Sequence, residues 1–450
     1  MTLPQADLPL IAPWMTRQRW FANKGALPVL EEIGSWSYPS AQPGVQLVTH
    51  LLLDHTVGKP ALYQVPLSYR DTPLANNAAL VGRLGDTWVY DAPHDQDWAI
   101  AMLRFISERQ EARGEHAWAI GHRTSPVGSG LVSRVLTGEQ SNTSIIFEAD
   151  GQTPVICKLF RAIHDGDNPD VVLQTALAEA GSDTVPKPVG HIVAEWDDRG
   201  EASGRARGHL AFAQEFLPGV EDAWRVALAA AGAGIDFSRE ARELGIATAG
   251  MHATLATAMP SSPAAQADID AVIDQMHGRL AAAVAEVPAL AEYGPALREV
   301  FALAATLPWS AQQRIHGDLH LGQVLSVPGR GWVLVDFEGE PLRPMRERSR
   351  LDSPMRDVAG MLRSFDYVAG SLAHSGSTAA GDWAVTARAA FSAGYSAASG
   401  TDLHDNRALL DAFEIDKALY ETVYEARNRP GWLDIPVAAI KRLSARVARA

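Results

Sequence analysis

The sequence contains a single cysteine, Cys157, among its 450 residues. One thiol cannot form an intrachain disulfide, and it excludes a metal site built from several cysteines. Its neighbours Val155, Ile156 and Leu159 are apolar, which favours a buried strand position over a reactive thiol. We therefore expect Cys157 to be structural.

Long apolar runs and an excess of basic residues are also missing. No apolar run reaches the length of about 18 residues that a membrane-spanning helix needs, and the first residues lack the pattern of a secretory signal. The 39 Lys and Arg residues face 53 Asp and Glu residues, for a formal charge of −14, and nucleic-acid backbones are bound by basic surfaces. We therefore expect a cytoplasmic protein that spans no membrane and binds no nucleic acid.

The length of the chain predicts more than one domain. Its 450 residues exceed one ordinary domain of about 100–200 residues, and 47% hydrophobic residues suffice for several cores. Apolar residues at helical spacing begin at Ile11, but Pro9 and Pro13 predict that this short helix starts no earlier than about Pro13. Strands rich in Val, Leu and Tyr are predicted at 46–53, 61–69 and 87–91.

Polar stretches and Ala-rich stretches divide the remainder. Residues 111–130 are interpreted as a domain boundary, 193–208 as an exposed insertion and 371–382 as a mobile connection, because each is rich in Gly or polar residues. Apolar residues at spacings of three and four predict helices in the Ala-rich second half. These helices are expected at 223–233, 239–257, 264–286, 295–306 and 405–427.

A polar loop and the end of a strand carry the strongest chemical signal. The loop begins with His-Gly-Asp at residues 316–318 and contains Gln323, and Asp336 ends a Val-Leu-Val strand. Phosphoryl transfer from ATP requires a carboxylate that orients the attacking hydroxyl and accepts its proton, together with oxygen ligands for Mg2+. Asp318 is the candidate base, and Gln323 and Asp336 are the candidate metal ligands. Aspartate beside glycine is also common in turns, so the prediction depends on the joint spacing.

A lysine in an apolar strand is the candidate contact to nucleotide phosphate. Lys158 lies in such a strand, where an unpaired ammonium is costly to bury. A solvated lysine on an edge strand is the alternative. In protein kinases a glutamate of the next helix holds the equivalent lysine. This chain has Val172 at that position. Asp170 and Glu179 are therefore the open candidates for the acidic partner of Lys158.

The loop at residues 137–142 is a second candidate nucleotide contact. Small and polar residues at 137–142 separate two predicted strands and leave backbone N–H groups able to approach phosphate oxygens. Ser141, Asn142 and Thr143 are the candidates. The loop has no Walker A pattern, so it is a kinase-type loop if it binds nucleotide.

The last long helix carries candidate sugar ligands. Asp416, Glu421, Tyr424 and Glu425 present carboxylates beside aromatic rings, which is typical of sugar binding. Salt bridges along the helix surface are the open alternative for these carboxylates.

These motifs resemble the maltokinase branch of the aminoglycoside-phosphotransferase-like kinases, which is close to actinobacterial glucosamine kinases. The resemblance covers most of the chain. It includes Arg-Gln-Arg-Trp-Phe at 17–21, Glu-Gln-Ser-Asn-Thr-Ser at 139–144, Asp-Lys-Ala-Leu-Tyr-Glu at 416–421 and Arg-Pro-Gly-Trp-Leu at 429–433. The loop also departs from protein kinases, which have His-Arg-Asp and Asp-Phe-Gly at the two motifs.

The resemblance implies an α+β, bilobal fold similar to eukaryotic protein kinases, with an added N-terminal β-rich cap. Three modules are expected: a cap at 1–110, an intermediate nucleotide-binding lobe at 111–217 and a mainly helical catalytic and sugar-binding lobe at 218–450. Glu215, Phe216 and Leu217 then belong to the hinge that binds adenine. His316 and His320, on either side of Asp318, are further candidates for contact with the sugar.

The implied activity is an ATP- and Mg2+-dependent sugar kinase, a monomer or weak dimer, that converts maltose to maltose 1-phosphate. The C-terminal helix, Glu425 in particular, looks closer to maltokinases. Glucosamine kinase forming glucosamine 6-phosphate is the alternative. A nucleotide-binding pseudokinase is disfavoured because Asp318, Gln323, Asp336 and Lys158 are all present. The match at 17–21 and the cap argue against aminoglycoside inactivation.

Overall fold

A computed structural model describes residues 8–56, 58, 60–75, 77–136, 141–198, 204–340, 343, 345–376 and 380–447. The chain forms two compact units. The first comprises Met1–Val172 and Pro186–Pro218, and the second comprises Leu173–Val185 and Gly219–Ala450. The finer division into three modules stays a prediction.

The first unit is mainly β-structure. Its helices are α1 (Leu8–Met15), α2 (Gln96–Ser107) and the start of α3 (Pro169–Glu179), which ends in the second unit. Its strands are β1 (Leu30–Tyr38), β2 (Val45–Asp54), β3 (Ala61–Arg70), β4 (Leu80–Leu84), β5 (Thr87–Asp91), β6 (Glu111–Arg113), β7 (Ala117–Arg123), β8 (Val132–Val135), β9 (Asn142–Glu148), β10 (Val155–Phe160), β11 (Ala162–Ile163), β12 (Pro188–Asp197) and β13 (Arg205–Glu215). Short 3-10 helices lie at Asn77–Ala79 and Ala92–His94.

These strands form two antiparallel sheets. The first has the order β1-β2-β3-β5-β4, with β11 paired to β3, and the second has the order β6-β7-β12-β13-β10-β9-β8. Three apolar clusters of described residues lie within this unit: one around Trp36 and Trp98, one around Trp14 and Phe21, and a small one of Phe160, Val171 and Phe212. Several of these strands, such as β2, β3 and β9, are buried along most of their length and are rich in the β-branched, aromatic and other apolar residues that favour strands.

The second unit is mainly helical. Its helices are α4 (Ala223–Gly232), α5 (Ser238–Ala258), α6 (Gln266–Glu286), α7 (Gly294–Thr306), α8 (Met345–Arg348), α9 (Met355–His374), α10 (Ala380–Ser399), α11 (Arg407–Asn428) and α12 (Asp434–Val447). Its strands are β14 (Glu221–Asp222), β15 (Ser261–Ser262), β16 (Gln312–Gln313), β17 (Val324–Val327) and β18 (Gly331–Leu334), and β14-β17-β18 form a small sheet. Short 3-10 helices lie at Pro288–Tyr293, Leu321–Gln323 and Pro430–Trp432.

One large apolar cluster fills the second unit. It includes Leu244, Phe301, Phe365 and Phe413 from four different helices. Helices α9 and α11 are nearly enclosed and carry many buried charged residues. Buried charges require partners, so these two helices hold much of the ion-pair chemistry described below.

The N-terminal helix was predicted wrongly. It begins at Leu8, not near Pro13, and ends at Met15. Pro9 lies in the first turn, where an N–H has no helical acceptor and none is lost. Pro13 removes one hydrogen bond from this short helix, and the burial of Ile11 and Trp14 compensates for that loss.

Three polar stretches were also misread in part. Residues 111–130 contain β6 and β7, which belong to the seven-stranded sheet. Strands β12 and β13 pair through residues 193–197 and 205–208. Trp196 and Ala206 are buried there, although their sequence neighbours are charged. Residues 199–203 lie outside the described residues. Residues 371–374 continue α9 and Ala380 begins α10.

Several simpler predictions are confirmed. Cys157 is fully buried in β10, where burial raises the pKa of its thiol. Arg17, Arg19 and Lys24, which lie in or just after the motif at 17–21, are exposed. In the part of the chain that the structure describes, no helix is both long enough and apolar enough to span a bilayer.

Candidate active site

The loop at residues 316–323 is anchored by a buried carboxylate of α9. Asp357 accepts hydrogen bonds from the backbone N–H groups of His316 and Gly317, each at 2.8 Å. The ring of His252 lies 3.0 Å from the same carboxylate, and its other nitrogen lies 3.0 Å from the Tyr395 hydroxyl. Burial raises the pKa of Asp357, but hydrogen bonding and charge from His252 outweigh it and lower the pKa below its ordinary value. Asp357 therefore supports the loop, and both ring nitrogens of His252 have hydrogen-bond partners.

The backbone of this loop depends on a glycine and a histidine. Gly317 has a φ of 84°, in the left-handed region that favours glycine. The Nε2 of His316 lies 3.0 Å from the Val335 carbonyl, which only accepts, so Nε2 carries the proton. Nδ1 then accepts from the Asp318 N–H at 3.4 Å. Both nitrogens of the buried His316 ring therefore shape the loop, which favours this role over the predicted sugar contact.

The Asp318 side chain contacts a lysine from α11. Lys417 Nζ lies 2.8 Å from Asp318 Oδ1 and 3.0 Å from Glu340 Oε1. The ammonium also lies 4.9 Å from the ring centre of Tyr420. Burial lowers the pKa of Lys417, but the charges of Asp318 and Glu340 outweigh it and raise that pKa above the ordinary value. Lys417 is therefore a permanent positive charge beside the candidate base.

The candidate metal ligands lie next to each other. Gln323 Nε2 donates to Asp336 Oδ2 at 2.9 Å, and the Gln323 backbone carbonyl accepts from the Val335 N–H at 3.0 Å. Asp336 has a φ of 66°, which is uncommon for a residue other than glycine and marks a functional constraint. An amide and a carboxylate offer hard oxygen donors, and Mg2+ binds through one or two carboxylates together with substrate phosphates. This donor set fits Mg2+.

His320 is a neutral side chain beside Asp318 in the same loop. Its Nδ1 accepts a 3.0 Å hydrogen bond from the Gly322 N–H, so Nε2 carries the proton. Burial lowers the pKa of His320, the Asp318 charge opposes this, and the Lys417 charge adds to the lowering. The result is a neutral ring that offers one N–H donor.

The predicted sugar ligands of α11 are held by arginines. Asp416 is buried, and its Oδ2 lies 2.8 Å from both Arg279 and Arg356. Glu421 is buried, and its Oε2 lies 2.7 Å from Arg363. The salt bridges left open by the sequence are therefore formed at both positions.

The last turns of α11 have the same organisation. Glu425 is buried and accepts from the Tyr367 hydroxyl at 3.1 Å and from Arg429 at 2.6 Å. Tyr424 is 39% exposed, with the Arg429 guanidinium 5.6 Å from its ring centre. Of the four predicted sugar ligands on this helix, only Tyr424 is exposed.

In the first unit, Lys158 has an acidic partner. Lys158 Nζ on β10 lies 3.3 Å from Asp170 Oδ2 on α3. Of the two candidates left open by the sequence, Asp170 rather than Glu179 forms this pair. The short side chain of aspartate is long enough for this pair, because Lys158 lies on β10 and Asp170 lies in the first turn of the neighbouring helix α3.

The loop before β9 is described only from Ser141 onward, because residues 137–140 lie outside the described residues. Ser141 is exposed and Asn142 begins β9. Thr143 is buried and accepts a 2.9 Å hydrogen bond from Arg161, which in turn pairs with Asp91 at 2.9 Å. Thr143 is therefore tied into the sheet, and Ser141 is the exposed member of the set.

The predicted hinge residues end β13. The backbone N–H of Glu215 donates to Lys187 at 2.8 Å, and the N–H of Phe216 donates to Pro154 at 2.9 Å. Leu217 follows directly and precedes Pro218. The backbone N–H groups of Glu215 and Phe216 are therefore already hydrogen-bonded within the first unit. If residues 215–217 bind adenine, the contacts would come from their carbonyl groups and from Leu217.

Sequence reasoning missed Lys417, Glu340 and Arg279 as members of the site. Arg279 Nη2 lies 2.8 Å from Glu340 Oε2, so the three residues form a continuous ionic chain that ends at Asp318. They lie far apart in sequence, on α6, after β18 and on α11, so no local spacing links them. The available signal was a set of charged residues inside otherwise apolar helical patterns.

Comparisons with known families agree with this geometry. A model of the maltokinase N-terminal cap domain matches residues 14–95, and a model of the phosphotransferase enzyme family matches residues 133–409. The chain belongs to the phosphotransferase enzyme family. The predicted α+β kinase-like fold with a β-rich cap and the predicted class, an ATP-dependent carbohydrate phosphotransferase, are confirmed.

Two curated relatives are glucosamine kinases. The chain is 30% identical over 401 residues to the protein of Streptacidiphilus jiangxiensis, with 80% of this chain and 87% of that protein covered. It is 30% identical over 332 residues to the protein of Mycolicibacterium smegmatis, with 69% and 79% covered. A solved glucosamine kinase in complex with glucosamine, ADP and inorganic phosphate shares the fold, with a TM-score of 0.68 and 22% identity over 98% of this chain and 100% of that one.

Proposed function

We propose that the protein is an ATP-dependent kinase of a neutral sugar, with maltose as acceptor and maltose 1-phosphate as product. The observation that carries this proposal is that the carboxylates beside Asp318 and on α11 are already paired with Lys or Arg side chains. Lys417 lies beside Asp318, and the buried carboxylate of Asp416 is shared by Arg279 and Arg356. The match of residues 14–95 to a maltokinase cap gives further support.

The charge of the acceptor decides between the two sugars. An amino sugar brings an ammonium group, which favours a carboxylate that is not already neutralised. Asp416, Glu421 and Glu425 are each paired with one or two arginines. A second ammonium near Lys417 would also meet like-charge repulsion in a weakly screened environment. A neutral disaccharide avoids both costs.

Asp318 acts as the general base in the proposed reaction. It orients the anomeric hydroxyl of the acceptor and takes its proton while the hydroxyl oxygen forms a bond to the γ-phosphorus of ATP. The bond between that phosphorus and the bridging oxygen breaks, and ADP leaves with the electron pair. Gln323 and Asp336 would hold Mg2+, which supplies charge neutralisation on the phosphates when bound.

Four further residues assist binding in this proposal. Lys158, oriented by Asp170, contacts nucleotide phosphate, and Ser141 offers its backbone N–H to the same ligand. His320 offers its Nε2–H to a hydroxyl of the sugar. The exposed ring of Tyr424 offers a stacking surface for a sugar.

Glucosamine kinase is the second candidate. It is favoured by the two relatives at 30% identity, which cover 80% and 69% of this chain. The product would be glucosamine 6-phosphate, formed by the same base and metal ligands. A cytoplasmic location and a monomeric or weakly dimeric state stay predictions under either candidate.

An acceptor panel tests the proposal. ADP release is measured with maltose, glucosamine, glucose and an aminoglycoside at matched concentrations, and phosphorus NMR of each product identifies the modified hydroxyl. We expect the highest kcat/KM with maltose and a phosphate on its anomeric oxygen. A higher kcat/KM with glucosamine, with phosphate on the 6-hydroxyl, would overturn the maltose assignment and establish the second candidate.

A further inference from the structure

The contact between Lys417 and Asp318 joins two distant parts of the second unit. Asp318 lies in the loop after β16, whereas Lys417 lies in the middle of α11. Their side chains are only 18% and 13% exposed, and the distance between Nζ and Oδ1 is 2.8 Å. The lysine therefore approaches the base from an element outside the catalytic sequence motif.

The ammonium is fixed in place by a chain of alternating charges. Glu340 accepts from Lys417 at 3.0 Å and from Arg279 at 2.8 Å, and Arg279 also binds Asp416 at 2.8 Å. Asp416 lies next to Lys417 on α11, so the chain of ion pairs closes on the same helix. Moving the ammonium would break the ion pairs at Oε1 of the buried Glu340 and at Oδ1 of Asp318 together, which is costly.

The lysine selects which oxygen of Asp318 reacts. A carboxylate has two oxygens, and a general base needs one of them directed at the proton it accepts. Lys417 binds Oδ1, so Oδ2 is the oxygen that takes the proton of the acceptor hydroxyl. In the proposed reaction the attacking hydroxyl is bound by Asp318, so the neighbouring Lys417 would also place positive charge near the phosphoryl group on which negative charge develops.

We propose that Lys417 is a positioning residue for the base: it holds Oδ1 of Asp318, directs Oδ2 to the acceptor and supplies positive charge where phosphoryl transfer takes place. The inference rests on the proposed role of Asp318 as base. In the step, the proton moves from the acceptor hydroxyl to Oδ2, the new O–P bond forms, and the bond to ADP breaks. Lys417 keeps its protons throughout.

A double-mutant cycle tests this proposal with the full-length protein. Wild type, Lys417→Met, Asp318→Asn and the double variant are compared with whichever sugar in the acceptor panel gives the highest kcat/KM. We expect Lys417→Met to lower kcat at least about tenfold, with KM for sugar and ATP changed less than about threefold. Because Lys417 acts through Asp318, the double variant should match Asp318→Asn within about threefold.

Two different failures are distinguishable in this cycle. Normal turnover in Asp318→Asn would remove the base from the proposed function. A large loss in Asp318→Asn with near-normal kcat in Lys417→Met would leave the base intact and overturn the role of Lys417. Losses that simply multiply in the double variant would show that the two residues act independently, and would also overturn it.

A matched control separates positioning from support of the fold. Arg388 is 11% exposed and pairs with Glu414 of α11 at 2.6 Å and with Asp366 of α9 at 3.2 Å, so its ion pairs anchor α11 through carboxylates other than Asp318. Arg388→Met also breaks a buried ion pair that anchors α11. We expect it to lower Tm while kcat stays within about twofold of wild type. An equal loss of kcat in Arg388→Met and Lys417→Met would identify a general packing effect and overturn the proposal.

A second variant covers the case in which Lys417→Met does not fold. Glu340→Gln combined with Lys417→Met removes the lysine and one carboxylate together, so fewer buried charges lose their partner. Its kcat is compared with that of Glu340→Gln alone, and a loss of at least about tenfold is expected. Failure of both lysine variants to fold would define Lys417 as a structural residue and overturn the positioning role.

Discussion

At the residue scale, Asp336 combines an unusual backbone conformation with a candidate metal-binding side chain. Its φ of 66° lies in the left-handed region, where Asn and Asp are tolerated better than most residues. Such conformations persist where the surrounding structure enforces them, and they are concentrated at functional sites. The hydrogen bond from Gln323 at 2.9 Å fixes the orientation of the carboxylate. Asp336→Asn is therefore the most informative substitution, because asparagine also tolerates a positive φ and the substitution removes the charge.

We predict that Asp336→Asn lowers kcat by about 100-fold or more and raises the Mg2+ concentration needed for half-maximal activity. The reason is the loss of a charged oxygen ligand. The measurement is initial rate against Mg2+ concentration at saturating sugar. Asp382→Asn, a substitution of the same chemistry at an exposed position in the first turn of α10, serves as control. Unchanged activity and Mg2+ dependence in Asp336→Asn would remove this residue from the site.

The sequence pointed to candidates for the reacting side chains more readily than to the side chains that support them. Asp318, Gln323 and Asp336 lie within a short stretch and follow a known order of chemical roles, so local spacing was sufficient. Lys417 is adjacent to Asp318 only after α11 has packed, and its role has no local signature. The pair between Lys158 and Asp170 was left open for the same reason, because it depends on the geometry of α3 relative to β10.

At the element scale, α9 supports the loop that contains the candidate base. Its first turn carries Asp357, whose two oxygens accept the N–H groups of His316 and Gly317. The same carboxylate contacts His252 of α5, so three elements meet at one buried charge. An asparagine at this position keeps one acceptor oxygen but replaces the other with an NH2 donor, so the two backbone donors and the histidine lose their shared charged acceptor, which is more costly than the loss of one surface hydrogen bond.

We predict that Asp357→Asn lowers the free energy of unfolding by about 2–4 kcal/mol at neutral pH and also reduces kcat. The folded-state pKa of Asp357 is lowered, so its stabilisation is present above the unfolded-state pKa of about 3.9 and is lost as pH falls through the folded-state value. The difference between wild type and variant should therefore shrink below about pH 4. Urea unfolding at several pH values measures it.

A difference that stays constant from neutral to acid pH would contradict this account of Asp357. It would show that the substitution acts through packing and not through the charge. Ser364→Ala, which removes a 3.3 Å contact to the Leu321 N–H from the same helix without changing charge, provides the comparison. Its effect on stability should not depend on pH.

Secondary structure was predicted well where one kind of pattern extends over several turns. Helices α5, α6 and α7 lie within a few residues of the predicted ranges, because apolar residues at spacings of three and four repeat throughout them. The hairpin of β12 and β13 was missed because charged residues on its outer face hid the buried Trp196. The start of α1 was missed because two prolines outweighed the apolar pattern.

At the scale of the whole molecule, the chain is organised around separate apolar cores. The clusters around Trp36 and Trp14 draw only on residues of the first unit, and the large cluster around Phe365 draws only on residues of the second. The length of the chain predicted more than one domain, but the boundary near residue 110 was drawn from polar composition alone. Composition does not show that β6 and β7 complete a sheet with strands that follow much later in the chain.

Separate cores predict that the two units do not unfold in one cooperative step. Multidomain proteins commonly depart from two-state behaviour, and each unit here has its own core. The single cysteine provides a probe of one unit only: Cys157 is fully buried in the first unit, so its thiol reacts with a thiol reagent after that unit opens. Far-UV circular dichroism of helices reports mainly on the second unit, which contains α4 to α12.

We therefore predict that the urea midpoints measured by thiol reactivity and by helical circular dichroism differ, and that the calorimetric enthalpy of unfolding exceeds the van't Hoff enthalpy. Cys157→Ala, which removes the thiol, should abolish the reagent signal while both circular-dichroism and calorimetric transitions remain. Coincident midpoints and equal enthalpies would show that the cores unfold together. In that case the boundary between the two units would describe packing within one cooperative structure, and a variant that weakens either unit would lower the stability seen by both probes.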